Sequence, residues 1–253
     1  MKNKKAFTLS EVLIALAVIG VIAAITIPSV KIQMEKQDTI AQLKVAYSLI
    51  SQGVNRAWAD YGPIYNWDVS LSPSEFGRLY VKPYFIYTKE CTSMSDGCWE
   101  TDGFNGYYDL SGVKKKNTVP YSLVLNNGMI LGINQVAGVL LSYIIDINGS
   151  RKPNKMGRDI FSFYVYNTDY SFCNDAEVYT GKDGLYPGGY DNCGPPHAFY
   201  TRDELLSKSV CRACTKSTTG CSNGEDNERP GVGAACAAVI VKDGWQIKSD
   251  YPW

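Results

Sequence analysis

At 253 residues the chain is long enough to hold a sizeable core in one domain, with room for an elaborated second lobe. Its 25 basic and 25 acidic residues cancel, which leaves no overall electrostatic footprint for DNA or RNA. The single histidine, His197, gives no His pair for a metal, and no Gly-x-Ser-x-Gly elbow accompanies it, so the composition argues against a hydrolase.

The N-terminus reads Met1-Lys-Asn-Lys-Lys-Ala6, then Phe7-Thr-Leu-Ser-Glu11, then an apolar run that ends at Ile27 before Pro28. Val12 to Val30 is uncharged, and a membrane-spanning helix needs about 20 such residues. Lys2, Lys4 and Lys5 precede it, which keeps the N-terminus cytoplasmic and sends the rest outward. A secretory signal would have a shorter apolar core followed by a small-residue cleavage site. Here Ala23-Ala24 lies inside the run, and Ala6 lies before it. Glu11 is the exception in this segment, because a charge within a membrane is costly and marks a functional position. Two partners suit it: interfacial headgroups, or a positive group on a neighbouring subunit, such as a free α-amino group at Phe7.

Lys-Lys-Ala-Phe-Thr-Leu-Ser-Glu-Val-Leu-Ile-Ala-Leu resembles the prepilin cleavage and methylation motif of type IV pilins and type II secretion pseudopilins. The resemblance implies cleavage between Ala6 and Phe7 by a prepilin peptidase and N-methylation of Phe7. Glu11 falls where the family carries its glutamate, and Pro28 where it carries a helix-kinking proline. Ala6 departs from the family's usual Gly before the cut. Removal of the leader would leave 22 basic against 25 acidic residues, a mature charge of about −3.

The helix is expected to continue past Pro28. Ile40, Leu43, Tyr47, Ile50, Val54, Ala57 or Trp58, and Tyr61 recur in steps of three and four, one face of an amphipathic helix that Gly62-Pro63 stops. From Phe7 to about Asp60 it would be roughly 80 Å long. Residues 63–118 read as a connecting region with strand pieces. Tyr80–Tyr87, broken by Pro83, is placed in a loop or at a sheet edge, and Lys114-Lys-Lys116 in a solvated turn. Tyr121–Leu125, Asn126-Asn-Gly128 and Met129–Asn134 read as a hairpin. Val139–Ile145 is a third strand and Ile160–Tyr166 a fourth. Residues 167–236 are rich in Gly, Cys and Tyr, with a short possible helix at 202–210. The end, from Ala234, reads as a helix into a strand.

All eight cysteines lie beyond residue 90, on the side predicted to be outside the cytoplasm, where disulfides persist. Cys91 with Cys98, and Cys173 with Cys193, would close loops. Cys211, Cys214, Cys221 and Cys236 allow three connectivities. A zinc or redox role for Cys211-Arg-Ala-Cys214 is the lesser reading, since the spacing lacks the second pair of a zinc ribbon. Asp146-Ile-Asn-Gly149 echoes the start of a calcium loop, although Asp159 comes two places late for the closing carboxylate, and a turn is the simpler reading. Because some pseudopilins hold calcium in a loop of their β domain, the resemblance adds weight to Asp146, Asn148 and Asp159 as ligands. No other cofactor is expected.

The expected fold is α+β and pilin-like: a leader (1–6), a membrane or filament-core helix (7–30), its amphipathic continuation (31–62), a connecting region and antiparallel sheet (63–166), and a disulfide-tied cysteine-rich region (167–253). The expected role is a non-catalytic filament subunit, first single-pass in the cytoplasmic membrane, then in a surface or periplasmic filament. Its partners would be copies of itself, other pilins or pseudopilins, the prepilin peptidase and a membrane assembly platform, and not nucleic acid. The alternative is an anchored extracytoplasmic binding protein or adhesin that never polymerises.

Overall fold

Helix α1 (Leu9–Tyr61) runs for 53 residues in the computed structural model, which describes residues 8–116, 119–136, 140–166, 184–188, 201–208, 213–217 and 232–253. Leu, Ile, Val and Ala carry it, and Pro28 sits within it. Proline has no N–H to donate to the preceding turn. Around it the Thr26 hydroxyl donates to Ile22 O (2.9 Å) and the Ser29 hydroxyl to Thr26 O (2.9 Å). Gly62 ends the helix in the left-handed region (φ 75°), its N–H donating to Trp58 O at 2.9 Å. A glycine adopts that conformation without a Cβ clash, and Pro63 prevents continuation.

The chain divides into two compact units, Met1–Thr39 and Ile40–Trp253. In the first, the apolar side chains are exposed, from Leu9 to Met34. This stretch is long and apolar enough to cross a membrane.

The second unit is built on a six-stranded antiparallel sheet ordered β1 (Tyr87–Cys91), β6 (Tyr121–Leu125), β7 (Ile130–Val136), β8 (Leu140–Asp146), β9 (Ile160–Tyr166) and β10 (Gly184–Pro187). Two short pairs, β2 (Glu100–Thr101) with β3 (Phe104–Asn105) and β4 (Tyr107–Tyr108) with β5 (Lys114–Lys115), precede β6. Side chains alternate between sheet faces. One face, with Leu123, Leu131, Tyr143, Ile145, Phe161 and Phe163, packs in one cluster with Leu43, Ile50, Val54 and Ala57 of α1. The other face, with Ile130, Ile144 and Ile160, is covered by Met94, Trp99, Tyr107, Val119 and Met156. Burial on both faces explains why these strands read as nearly unbroken apolar runs. Gly53 lets α1 approach Phe85, whose ring a Cβ there would strike.

The long helix, the hairpin and the two following strands are where the sequence puts them. Several expectations fail. Lys114–Lys116 is not a turn: Lys114 and Lys115 pair with Tyr108 and Tyr107, and Lys115 is buried. The sheet gains β1 and β10 at its edges, while Tyr80–Tyr87 itself is a loop that runs into the edge strand at Tyr87, as expected. The stretch before it holds α2 (Pro73–Tyr80), whose start is a capping box: Glu75 N donates to Ser72 Oγ (3.3 Å), and Ser72 N donates to Glu75 Oε2 (3.1 Å). Arg78 and Lys82 both pair at 2.7 Å with Glu90 of β1, fastening this region to the edge strand. Those two cations hold the Glu90 carboxyl below its usual range against the opposing effect of burial.

Near the C-terminus, α3 (Arg202–Leu206) is shorter than the expected 202–210, and α4 (Cys236–Lys242) forms within the apolar stretch. The strand expected after α4 does not form. Gly244 and Trp245 both have positive φ (70° and 62°), and Trp245 N donates back to Ile240 O at 2.8 Å, so the chain turns sharply. Arg202 ties this tail down through Asp243 (2.6 Å) and Asp250 (2.7 Å). Cys91–Cys98 forms the expected short loop, and Cys214 pairs with Cys236 across 22 residues. Cys173, Cys193, Cys211, Cys221 and His197 lie outside the described residues.

Candidate functional site

Two places hold the chemistry singled out in the sequence. At the first, Ala6 and Phe7 lie outside the described residues, and Glu11 sits in the first turn of α1. Its Oε2 accepts from both the backbone N–H and the hydroxyl of Thr8, each at 2.8 Å. Glu11 N in turn faces Thr8 Oγ1 at 3.3 Å. Thr8-Leu-Ser-Glu11 is therefore a capping box, a role the sequence reading missed although its spacing spells it. It matters more in hydrocarbon than in water, because an unpaired N–H there costs several kcal/mol. Within one chain Glu11 already has donors, so the residue is a cap as well as a candidate partner for another subunit. Pro28 lies seventeen positions further along the same helix.

At the second place, the turn from β8 to β9 brings Asp146, Asn148 and Asp159 together with Asn154 through hydrogen bonds. Asp146 and Asp159 are 2% and 3% exposed. Asp146 Oδ1 accepts from Asn148 N at 3.0 Å, an Asx turn that shapes the loop. Asp159 is taken up differently. Its Oδ2 accepts from Asn154 N (2.7 Å) and Asn148 Nδ2 (3.2 Å), and its Oδ1 from Lys155 N (2.6 Å). Burial pushes the Asp146 carboxyl well above its ordinary value, with the Asp159 charge adding to the rise. Burial raises Asp159 to about 6 against the pull of its backbone donors.

Asn154, 3% exposed and held at φ 48°, lies at the centre. One end of its amide is 2.9 Å from Thr101 Oγ1. The other end is 2.9 Å from Arg151 O and 3.2 Å from both Gly149 O and Asp146 Oδ2. With the nitrogen toward the loop, the amide bonds all three oxygens. In that setting the amide oxygen accepts from the Thr101 hydroxyl at 2.9 Å, so hydrogen bonds within the chain account for the arrangement. Asn148 Oδ1 is also buried with no hydrogen-bond partner.

Comparison with known proteins bears on the first place. The family model of the prokaryotic N-terminal methylation motif matches residues 1–27. The chain carries the prepilin-type signal of type IV pilins and pseudopilins. The matched segment contains Ala6, Phe7, Thr8 and Glu11 and stops one residue before Pro28. No curated protein and no solved structure matches the chain. The prepilin-type segment thus heads a pilin-like α+β chain, a long N-terminal helix with an antiparallel sheet behind it.

Proposed function

We propose that this chain is a structural, non-catalytic subunit of a type IV pilus-like or type II secretion-like filament. Prepilin peptidase would process it after Ala6, and it would polymerise through its N-terminal helix. The observation that carries the reading is the pairing of a prepilin-type signal with a helix whose apolar side chains, from Leu9 to Met34, are exposed among the described residues. Lipid covers such a surface in the precursor, and neighbouring helices cover it in a filament.

In the precursor the capping box supplies Glu11 with donors from Thr8. After cleavage the freed amine of Phe7 becomes available. Glu11 of an entering subunit pairs with that amine on its neighbour, and the interaction is strong because unpaired charge in hydrocarbon is costly. Pro28 leaves one turn of the helix short of a backbone donor, which eases bending as the subunit leaves the membrane.

Substitution Glu11→Val tests this in cells, with membrane fractions and sheared filaments probed separately. The expected result is a precursor that inserts and is processed, with incorporation into filaments reduced at least about tenfold, the loss of one buried ion pair. Filaments of normal abundance would refute the pairing. A processed chain that is never found in filaments, with or without the substitution, would favour an anchored binding protein or adhesin.

A further inference from the structure

We infer that the clasp formed by Arg202, Asp243 and Asp250 is a pairing template: it brings Cys214 to Cys236 while both are still thiols, and so selects that disulfide over partners that lie nearer to Cys214 in the chain. The inference stands whether or not the chain enters a filament.

Chain distance alone disfavours the pair that forms. Within the last group of cysteines Cys214 has three possible partners, and Cys236 is the farthest from it. Cys211 lies three positions before it and Cys221 seven positions after it, whereas Cys236 lies 22 away. The entropy of closing a flexible loop rises with its length, so an unfolded chain meets the nearer thiols first. The structure nonetheless joins Cys214 to Cys236, and both are buried. The fold must therefore hold them together before oxidation.

Helix α4 shows how. Cys236 is its first residue and Asp243 follows its last, so its two ends present two anchors. One segment meets both, with Arg202 at the start of α3 on Asp243 and Cys214 beyond the end of α3 on Cys236. The Arg202 guanidinium grips two carboxylates at once. Its Nε and Nη2 donate to the two oxygens of Asp243 (2.6 and 3.0 Å), and its Nη1 and Nη2 to those of Asp250 (both 2.7 Å). Forked, charge-assisted bonds fix orientation as well as distance, which a lysine cannot do. The Asp243 side chain is 1% exposed and meets one further cation, Lys248, at 2.8 Å. A carboxylate so buried holds its cations tightly, because leaving it unpaired is costly. Between the anchors Leu205 is buried, Cys214 N donates to Leu205 O at 2.7 Å, and Gly233 N donates to Ala213 O at 2.8 Å. None of these contacts involves a sulfur atom, so all can form in the reduced chain. Arg202 and Asp243 are 41 residues apart and enclose the disulfide loop. Once they meet, each cysteine hangs on a short arm from the meeting point, at the raised effective concentration of a short tether.

Oxidation then needs only an external disulfide of the glutathione class. One cysteine thiolate attacks a sulfur of that disulfide and expels a thiolate. The other attacks the protein sulfur of the mixed disulfide and expels the second. One external S–S bond is lost, one is made in the protein, and the two cysteine protons pass to the two expelled thiolates.

The test refolds the full chain in detergent micelles from the reduced, denatured state in a mixture of oxidised and reduced glutathione. Samples are quenched by alkylation, and disulfides are mapped by mass spectrometry of peptides. Wild type is expected to show Cys236 as the main partner of Cys214 from the earliest samples. Arg202→Ala should lower that share at least about threefold, with Cys214 found instead on Cys211 or Cys221. Asp243→Asn should behave like Arg202→Ala, and Arg202→Lys should restore the pairing only in part. Arg78→Ala, which removes an arginine–carboxylate pair elsewhere on the surface, should leave it unchanged. A chain carrying Cys211→Ser and Cys221→Ser separates pairing from stability. There Cys214 has no nearby rival, and Arg202→Ala should again form Cys214–Cys236, only more slowly. An unchanged early pairing pattern in Arg202→Ala would overturn the template, as would a wild type that joins Cys211 to Cys214 first and rearranges later. Failure of Arg202→Ala to form the pair in the double-Ser chain would also overturn it, because the clasp would then serve the folded state and not the choice of partner.

Discussion

The two stretches of α1 use the same aliphatic residues toward opposite ends. Leu9, Ile14, Ile19 and Ile25 are 62–78% exposed, whereas Leu43, Ile50 and Val54 are at most 2% exposed. Helix propensity does not distinguish them, and a single secondary structure spans both. What differs is the partner. The later stretch carries polar residues such as Lys44, Asn55 and Arg56 off its apolar face and packs against the chain's own sheet. The earlier one is apolar between Val12 and Ile27, carries a prepilin-type signal and is exposed among the described residues.

Substitutions matched across the two stretches sharpen this contrast. The largest effect is expected for Ile50→Ala, which should cost the globular unit about 2–5 kcal/mol through lost burial and a residual cavity. Ile19→Ala should leave the same unfolding midpoint unmoved. Denaturant titrations of full chain in detergent, followed by Trp fluorescence, compare the two. Equal losses would break the distinction between a self-covered and an externally covered surface.

Disulfides are confined to the later unit among the described residues, and removing them should act there alone. The entropy of closing 22 residues makes Cys214–Cys236 worth about 3 kcal/mol, and the seven-residue Cys91–Cys98 loop about 2 kcal/mol. Replacing each pair with Ser should rank in that order in the same titration. A reversed order would show that native contacts, rather than chain entropy, decide their value.

The smallest effect comes from two glycines of one helix. A Cβ on Gly53 would strike the Phe85 ring, so Gly53→Ala should cost about 1–3 kcal/mol. A Cβ on Gly20 meets nothing within 4 Å, so Gly20→Ala should change domain stability by less than about 0.5 kcal/mol. A fall in filament yield for Gly20→Ala, with the domain intact, would mark the place where another helix makes its closest approach.

The sequence exposed these features unevenly, for physical reasons. α1 and β6 to β9 were legible because burial imposes a strong period, 3.6 on the helix and near-continuous apolarity on strands covered on both faces. β1 was obscured because an edge strand such as Tyr87-Thr-Lys-Glu-Cys91 is polar, and β10 because Gly184-Leu-Tyr-Pro187 is short and bounded by breakers. α2 was signalled by Ser72-Pro-Ser-Glu75, and the cap at Glu11 by Thr8; both patterns went unread beside louder ones. In the β8–β9 turn, Asp146, Asn148 and Asp159 were visible as carboxylate and amide side chains. The hydrogen bonds of Asn154 to the carbonyls of Gly149 and Arg151 leave no trace in residue identity, because they depend on a left-handed backbone that only the fold imposes.

The central claim is that this chain enters a pilin-like pathway through its N-terminal segment. The most direct measurement is the mass of the N-terminal peptide of the protein taken from its native membrane or sheared surface fraction. The account predicts a chain that begins at Phe7 and carries a methyl group on its amine. A chain that still begins at Met1, or one cut beyond Ile27, would contradict it, and the assembly role argued for Glu11 would fall.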